Sequence, residues 1–459
     1  MVRWCSGLTH CPLKATFTGS NPVRITFEMV EIPFFCYNFY YEENSMTYTF
    51  HLDTDPLLMD DFVENHEQNS LYQCSKWAEV KNNWDHFFTS CLEGDKIVAT
   101  ALVLKRKMPF GKCLFYIPRG PVMDYHNPEL VSFFLDHLVS LAKQHHAIAL
   151  RFDPNVFSRK YPYKEKDQDH PLENEDVIAL LKQHHAQHSG YTINIEETTQ
   201  PRFNASMTPQ DYMKRIDKKV RQSIATSEKK GAQFYEGHQY IHEFAQAMKY
   251  TEQRKGVALR NEEYFKRMAD VYGEQCIIMV AKLNFPRQIA YLNETIQKAQ
   301  HDLEATPYEK QKKQFQKTID NAFNELSKLK EEYEKEGKDE IILSGKLAIF
   351  NKNRMEFVYA GNNAEYLRMR TIYALYGKYF DISEEKNIPY VSMGGIEGTL
   401  DDGLTKFKSS WCMDVEEYIG EFNIVLDQVV YTLFDKVYPW VLKQSTRLRT
   451  GKKKVTLRQ

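Results

Sequence analysis

Ile388-Pro389-Tyr390-Val391-Ser392-Met393-Gly394-Gly395-Ile396-Glu397-Gly398-Thr399-Leu400-Asp401-Asp402-Gly403-Leu404-Thr405-Lys406-Phe407-Lys408-Ser409-Ser410-Trp411 is the stretch on which the reading of this chain turns. Ile388 to Val391 is an apolar run of strand type. Gly394-Gly395 ends it where a side chain would be in the way. Asp401-Asp402-Gly403 then turns the chain into a short segment carrying Phe407 and Lys408. This order lays backbone against a substrate and adds one fixed positive charge. An ordinary strand-to-helix connection has the same order, so the rest of the chain must decide.

Upstream, residues 46–200 alternate strand-like and helix-like patterns. Trp77, Val80 and Trp84 fall at helical spacing with Lys81 beside that face. Lys96–Leu104 and Lys112–Ile117 read as buried strands. The second runs into Pro118-Arg119-Gly120-Pro121, a stiff turn that Arg119 is expected to brace. A helix over about 128–143 follows, then the strand Ile148–Phe152, ended by Asp153-Pro154. Strand, helix, strand suggests an α/β domain.

From about Thr198 the pattern restarts. Thr208-Pro209-Gln210-Asp211 predicts a helix start, with Tyr212, Ile216, Val220 and Ile224 on one face and Gly231 as its end. A second helical region over 250–272 carries Thr251, Arg254, Arg260 and Tyr264, which places Arg260 and Tyr264 on one face. Residues 275–282 read as a strand. Then apolar residues recur at three-four spacing, first Ile289 to Leu303, and after Thr306-Pro307 again from Phe315 to Tyr333. This predicts an antiparallel coiled-coil hairpin over 285–338, inserted before the sheet resumes at Gly345–Tyr359.

The predicted organisation is mixed α/β. A first domain over 46–200 is completed by about 413–440, and a second is formed by 201–284 and 339–412. The hairpin is inserted in the second, and a basic tail covers 441–459. Residues 1–45 have no strand or helix period. Gly19-Ser20-Asn21-Pro22 is what the T-arm of a transfer-RNA gene encodes in frame, so this segment reads as spurious upstream translation with Met46 as the start.

Composition narrows the functions. The 459 residues are 42% hydrophobic and 13% aromatic, enough for sizeable cores. A net charge of -2 argues against a generally basic nucleic-acid coat. No apolar run approaches a membrane span. The eight cysteines show no metal-ligand or CxxC spacing, which suggests reduced thiols in the cytoplasm. There is no P-loop, nucleophile elbow or HExxH.

Two α/β units with an inserted hairpin suggest a duplicated acyltransferase fold of the GNAT type, yet no Arg/Gln-x-x-Gly-x-Gly/Ala loop for coenzyme A is present. Without an evident nucleophile, the remaining chemistry is direct attack of a substrate amine on an activated acyl donor. Asp153 is the candidate to accept a proton from that amine or orient it, or else a cap after its strand. An ordinary carboxylate, at about 3.9, is a weak base for an ammonium near 10.4.

Taken together, residues 73–81, Tyr116–Pro121, Leu150–Pro154, Thr251–Tyr264 and Gly394–Lys408 resemble the FemABX aminoacyltransferases, which build peptidoglycan cross-bridges. The resemblance runs from about Met46 to Trp440. Trp77–Trp84, Phe115–Pro121 and Arg254–Glu262 are most similar to the branch-forming, MurM-like subgroup. The resemblance implies transfer from aminoacyl-tRNA to the stem-peptide lysine amine of lipid II, at the inner face of the plasma membrane, with no metal or coenzyme. It implies that Lys81, Arg260, Tyr264 and Tyr359 hold the diphosphate and sugar of the acceptor. Lys408, behind Phe407, would stabilise the ester oxyanion or the tRNA 3′ end. The hairpin would contact tRNA or a partner, a second copy of the chain included. Bridge extension by a FemA/FemB-type enzyme, and a non-catalytic tRNA binder, are the alternatives.

Overall fold

The structure, a computed structural model, describes residues 48–255, 257–434 and 456–457. The expectations for residues 1–45 and for the basic tail lie outside the described residues, apart from one two-residue strand.

The first half opens with β1 (Tyr48–Leu52), α1 (Pro56–Asn65), α2 (Ser75–Val80), β2 (Asp85–Glu93), β3 (Lys96–Lys107), β4 (Cys113–Ile117), β5 (Val122–Met123), α3 (Pro128–Gln144) and β6 (Ala147–Phe152). The helix starts follow local chemistry. Asp55 and Asn127 each cap a helix that has proline in its first turn. β1 to β4 form an antiparallel run, and β4 then pairs β6 in parallel, with α3 as the crossover. The core lies between this sheet and the apolar face of α3, where Phe115, Phe134, Leu138 and Phe152 are buried.

The second half repeats this plan. It comprises β7 (Phe157–Pro162), α4 (Glu175–Gln183), β8 (Gln187–His188), β9 (Phe203–Met207), α5 (Tyr212–Arg215), α6 (Lys218–Lys229), β10 (Ala232–Glu236), α7 (Ile241–Lys255), β11 (Val257–Ala258), α8 (Glu262–Tyr272) and β12 (Cys276–Asn284). Then come α9 (Phe285–Ala305), α10 (Glu309–Glu336), β13 (Glu340–Phe350), β14 (Arg354–Asn362), α11 (Thr371–Glu385), β15 (Tyr390–Gly395), α12 (Gly403–Ser409), β16 (Asp414–Tyr418), β17 (Phe422–Val425), α13 (Gln428–Thr432) and β18 (Thr456–Leu457). β10, β12, β13 and β14 run antiparallel, and β14 pairs β15 in parallel across α11. An antiparallel run closed by one parallel pair, found twice, is a GNAT-like acyltransferase topology.

The halves exchange strands. β7, expected in the first domain, joins the second sheet beside β16, which itself comes from the 413–440 stretch expected to complete the first domain. β17, from that same stretch, does join the first sheet, between β6 and β8. Two expected helices are also broken. Asp211 adopts a left-handed backbone and Ile216 an extended one, so the helix expected from Thr208 to Gly231 is split into α5 and α6. The region over 250–272 is split between α7 and α8, and Arg260 precedes the Asn261 cap of α8 rather than lying on it.

α9 and α10 form a helical hairpin that buries Leu292, Ile296, Ala299, Ile319, Ala322, Leu326 and Leu329. Its base belongs to a core with Leu283, Ile341, Tyr366 and Met369. Arg368 binds Glu325 and Glu332 there, fixing α10 to the body.

Candidate active site

Lys81 closes α2 at its C-terminus, above the buried Trp77, with Nζ 5.1 Å from the indole ring. Burial, together with the positive charge of Arg260, pushes its ammonium down to about 8. Arg260 lies over the Tyr264 ring at 5.0 Å. Tyr264, on the first turn of α8, meets Tyr359 of β14 edge-on, with ring centroids 6.3 Å apart. The Tyr264 hydroxyl is buried without a well-formed hydrogen bond, and burial raises both phenols above the ordinary tyrosine range. Two cations and two phenols, drawn from both halves, therefore converge. Arg260 and Tyr264 meet as expected, but because the Asn261 cap folds the chain back rather than because they share a helix face.

Asp153 ends β6 and is buried. The Arg119 N–H donates to its Oδ1 at 2.7 Å, and the Tyr116 hydroxyl donates to Oδ2 at 3.2 Å. Burial pushes the carboxyl up to about 7 against the pull of Arg119. Arg119 itself donates to the Pro201 carbonyl at 2.6 Å and stacks 3.8 Å over Tyr418, so it braces the turn. Tyr72 packs on the same buried cluster as Tyr264 and Tyr359.

On β15, the parallel pairing with β14 spans only Tyr390 to Ser392. Beyond it the strands part, and Lys408 Nζ donates to the carbonyls of Gly394 at 2.8 Å and Gly395 at 2.9 Å. Gly394 has a φ of +83°, and a Cβ on Gly395 would lie 2.5 Å from Pro201. Both glycines are required there. Asp402 caps α12 through Leu404 and Thr405, which sets the angle of Lys408. Phe407 packs edge-on against Tyr373 and Tyr376.

A residue that the sequence reading passed over lies beneath Lys408. Lys346 Nζ is fully buried without a hydrogen-bond partner, 3.5 Å from the Phe357 ring centroid and 3.8 Å from that of Tyr376. Burial, with Lys408 adding to it, pushes its amine well below the ordinary range. Its signal was a lysine inside the apolar run Ile341–Phe350. Glu416 was also missed. It is buried and accepts from Ser206, Tyr390 and Asn204 at 2.7–2.9 Å.

The Lys408 and Lys81 groups are separated by the sheet. A bulge at Val358 pairs Tyr359 with Leu347 and Phe357 with Ala348. Although two residues apart, Phe357 and Tyr359 thus serve different cores. The parting of β14 and β15 is the gap between the two groups.

A repeated acyltransferase topology, with a cationic corner on one side and a lysine-anchored glycine pair on the other, defines an acyltransferase built from two linked halves. The FemAB family profile matches residues 56–438, and the chain belongs to that family. It is 29% identical over 422 residues to the lipid II:glycine glycyltransferase of Staphylococcus aureus strain bovine RF122 / ET3-1, covering 85% of this chain and 96% of the relative. The protein of the same name from strain USA300 is 27% identical over 417 residues, with the same coverage. The crystal structure of FemX superposes with a TM-score of 0.65 at 26% identity, covering 85% of this chain and all of FemX. These matches correct one expectation. The two named relatives are glycyltransferases, and the matches do not single out the MurM-like subgroup. Among the described residues no helix is long and apolar enough to cross a membrane.

Proposed function

We propose that this chain transfers an amino acid from aminoacyl-tRNA to the stem-peptide lysine amine of lipid II, starting a cross-bridge. The observation that carries the reading is the Lys81–Arg260–Tyr264–Tyr359 corner, where Arg260 is the charged neighbour that shifts Lys81. A diphosphate calls for a guanidinium fork, an ammonium and phenol donors.

The lysine nitrogen attacks the ester carbonyl carbon of the donor. The new C–N bond forms as the C–O bond to the terminal ribose breaks, and the amine proton passes to the departing ribose oxygen. Lys408 and Phe407 hold the donor end at the gap between β14 and β15, with the Lys408 ammonium near the developing oxyanion. Asp153, with its carboxyl near neutrality, orients the amine.

Glycine is the first donor to test, since it is the amino acid in the name of the relatives. Labelled glycyl-, seryl- and alanyl-tRNA are supplied separately with unbranched lipid II, and label is expected in the lipid fraction. Label only on pre-branched lipid II would move the chain to bridge extension. No label on either acceptor would leave a binder. The two-domain division, with the hairpin as the tRNA-contacting arm, belongs to the same proposal.

A further inference from the structure

Phe110 stands at the tip of the β3–β4 hairpin, in the turn Pro109–Gly111, and is 100% exposed. Its φ is +61°, a backbone region that a bulky residue rarely occupies. A single exposed apolar side chain needs no explanation. This one has charged and apolar company. Lys105, Arg106, Lys107 and Lys112 flank that turn on its two sides. The acids that face them are Asp85, 3.8 Å from Lys105 and 3.0 Å from Lys107, and Asp427, 2.8 Å from Lys112. Lys105 and Lys107 share the single Asp85 carboxylate, and the Lys107 side chain is 75% exposed, which leaves that edge positive.

α13 packs beside the hairpin. Val430 and Tyr431 share a small core with Met108 and Leu114, while Val429 and Leu433 remain 71% and 54% exposed. The sequence after α13 continues into Lys443, Arg447, Arg449 and Lys452-Lys453-Lys454.

The hairpin also springs from beside the cationic corner. The Arg106 guanidinium lies 5.8 Å over the Trp84 ring, and the Trp84 backbone N–H donates to the Lys81 carbonyl at 2.8 Å. Phe110 lies four residues beyond Arg106, so at most about 13 Å away at ~3.3 Å per extended residue. On the proposed acceptor reading, Lys81 holds a diphosphate whose polyprenyl chain is embedded in a bilayer, so the surface beside it must face headgroups.

We propose that the tip of the β3–β4 hairpin and the exposed edge of α13 seat the protein on an anionic bilayer. The Phe110 ring enters the boundary between headgroups and acyl chains, and the hairpin lysines face anionic headgroups. Apolar burial and positive charge act together, so the contact needs both the ring and anionic lipid.

The test is co-sedimentation of the full chain with vesicles of phosphatidylcholine, with and without phosphatidylglycerol. Wild type is expected to pellet with the anionic vesicles, and F110S to partition about tenfold more weakly. V429S should weaken it further in combination. F110S should keep wild-type transfer to a water-soluble, nucleotide-linked muramyl-peptide acceptor, which shows that it is folded and tests the chemistry separately. The proposal is overturned if wild type ignores vesicles, if it pellets equally without phosphatidylglycerol, or if F110S pellets like wild type. Loss of tRNA binding in F110S, with vesicle binding intact, would assign the hairpin to RNA and overturn it too.

Discussion

The Arg119 N–H donates to Asp153 Oδ1 at 2.7 Å, so the acid proposed to face the amine is already engaged by its own turn. Asn can keep that bond, because its carbonyl oxygen still accepts. D153N should therefore lower transfer by less than about tenfold, whereas loss of a general base costs roughly 10²–10⁴. A larger loss in D153N, with normal folding, would give Asp153 the proton. Stability provides a second reading. The carboxyl rises from 3.8 to about 7 in the fold. Between those values the native state holds a proton that the unfolded state has released, so this group's contribution to stability falls as pH rises. The Tm of wild type relative to D153N should decline from pH 4 to pH 7 and level off above.

Lys81 predicts a different pH dependence. Its ammonium, held down to about 8 by burial and Arg260, is charged below that pH and neutral above it. The KM for the lipid acceptor should rise as pH passes about 8. K81R keeps its charge and should flatten that limb. K81M should raise acceptor KM by roughly ten- to a hundredfold at neutral pH, the scale of a lost charge-assisted hydrogen bond. A pH-independent acceptor KM in wild type would count against the assignment.

Lys346 should show up in stability rather than in substrate affinity. A buried amine with no hydrogen-bond partner is a burden, so K346M should raise Tm at pH 7 by roughly 2–4 °C. The sign follows from the depressed value in the fold. Between that value and about 10.4 the unfolded chain holds the extra proton, so stability rises with pH. K346M should lose this slope. A lower Tm in K346M would mean that the Phe357 and Tyr376 rings hold an ammonium there.

The sequence made the elements legible where periodicity was strong. The strands around Val98 and Ile277, the helix after Asn127 and the hairpin from Phe285 all stand where the patterns put them. Strand partners were not legible. The sequence reading gives no strand over 157–162, and the apolar run from Met413 carries no signal that β16 joins one sheet and β17 the other. The break at Ile216 was hidden because the four-residue apolar spacing from Tyr212 to Ile224 continues across it while the backbone does not. At the site, Lys81, Arg260, Tyr264 and Tyr359, far apart in the sequence, lie together. Lys346 and Glu416 were overlooked because each sits inside a strand that was read only for its apolar neighbours.

The hairpin yields a prediction in two parts. Its base is core, held by Arg368 to Glu325 and Glu332, so removing 287–337 should lower Tm sharply. The first half of α10 carries Lys310, Lys312, Lys313 and Lys317. Deleting only 301–316, bridged by a short glycine link, should leave Tm within a few degrees and raise KM for aminoacyl-tRNA several-fold, with a weaker salt dependence. Unchanged donor kinetics in that variant would remove the arm from tRNA contact.

The central claim is a division of labour across one sheet: Lys81 and Arg260 hold the acceptor, while Lys408 serves the donor end. The most direct measurement is steady-state transfer by K81M and K408M, varying lipid II and aminoacyl-tRNA in turn. K81M should raise acceptor KM with donor KM unchanged. K408M should cut kcat at least about a hundredfold with acceptor KM near wild type. The opposite pattern, or two variants with wild-type constants, would contradict it.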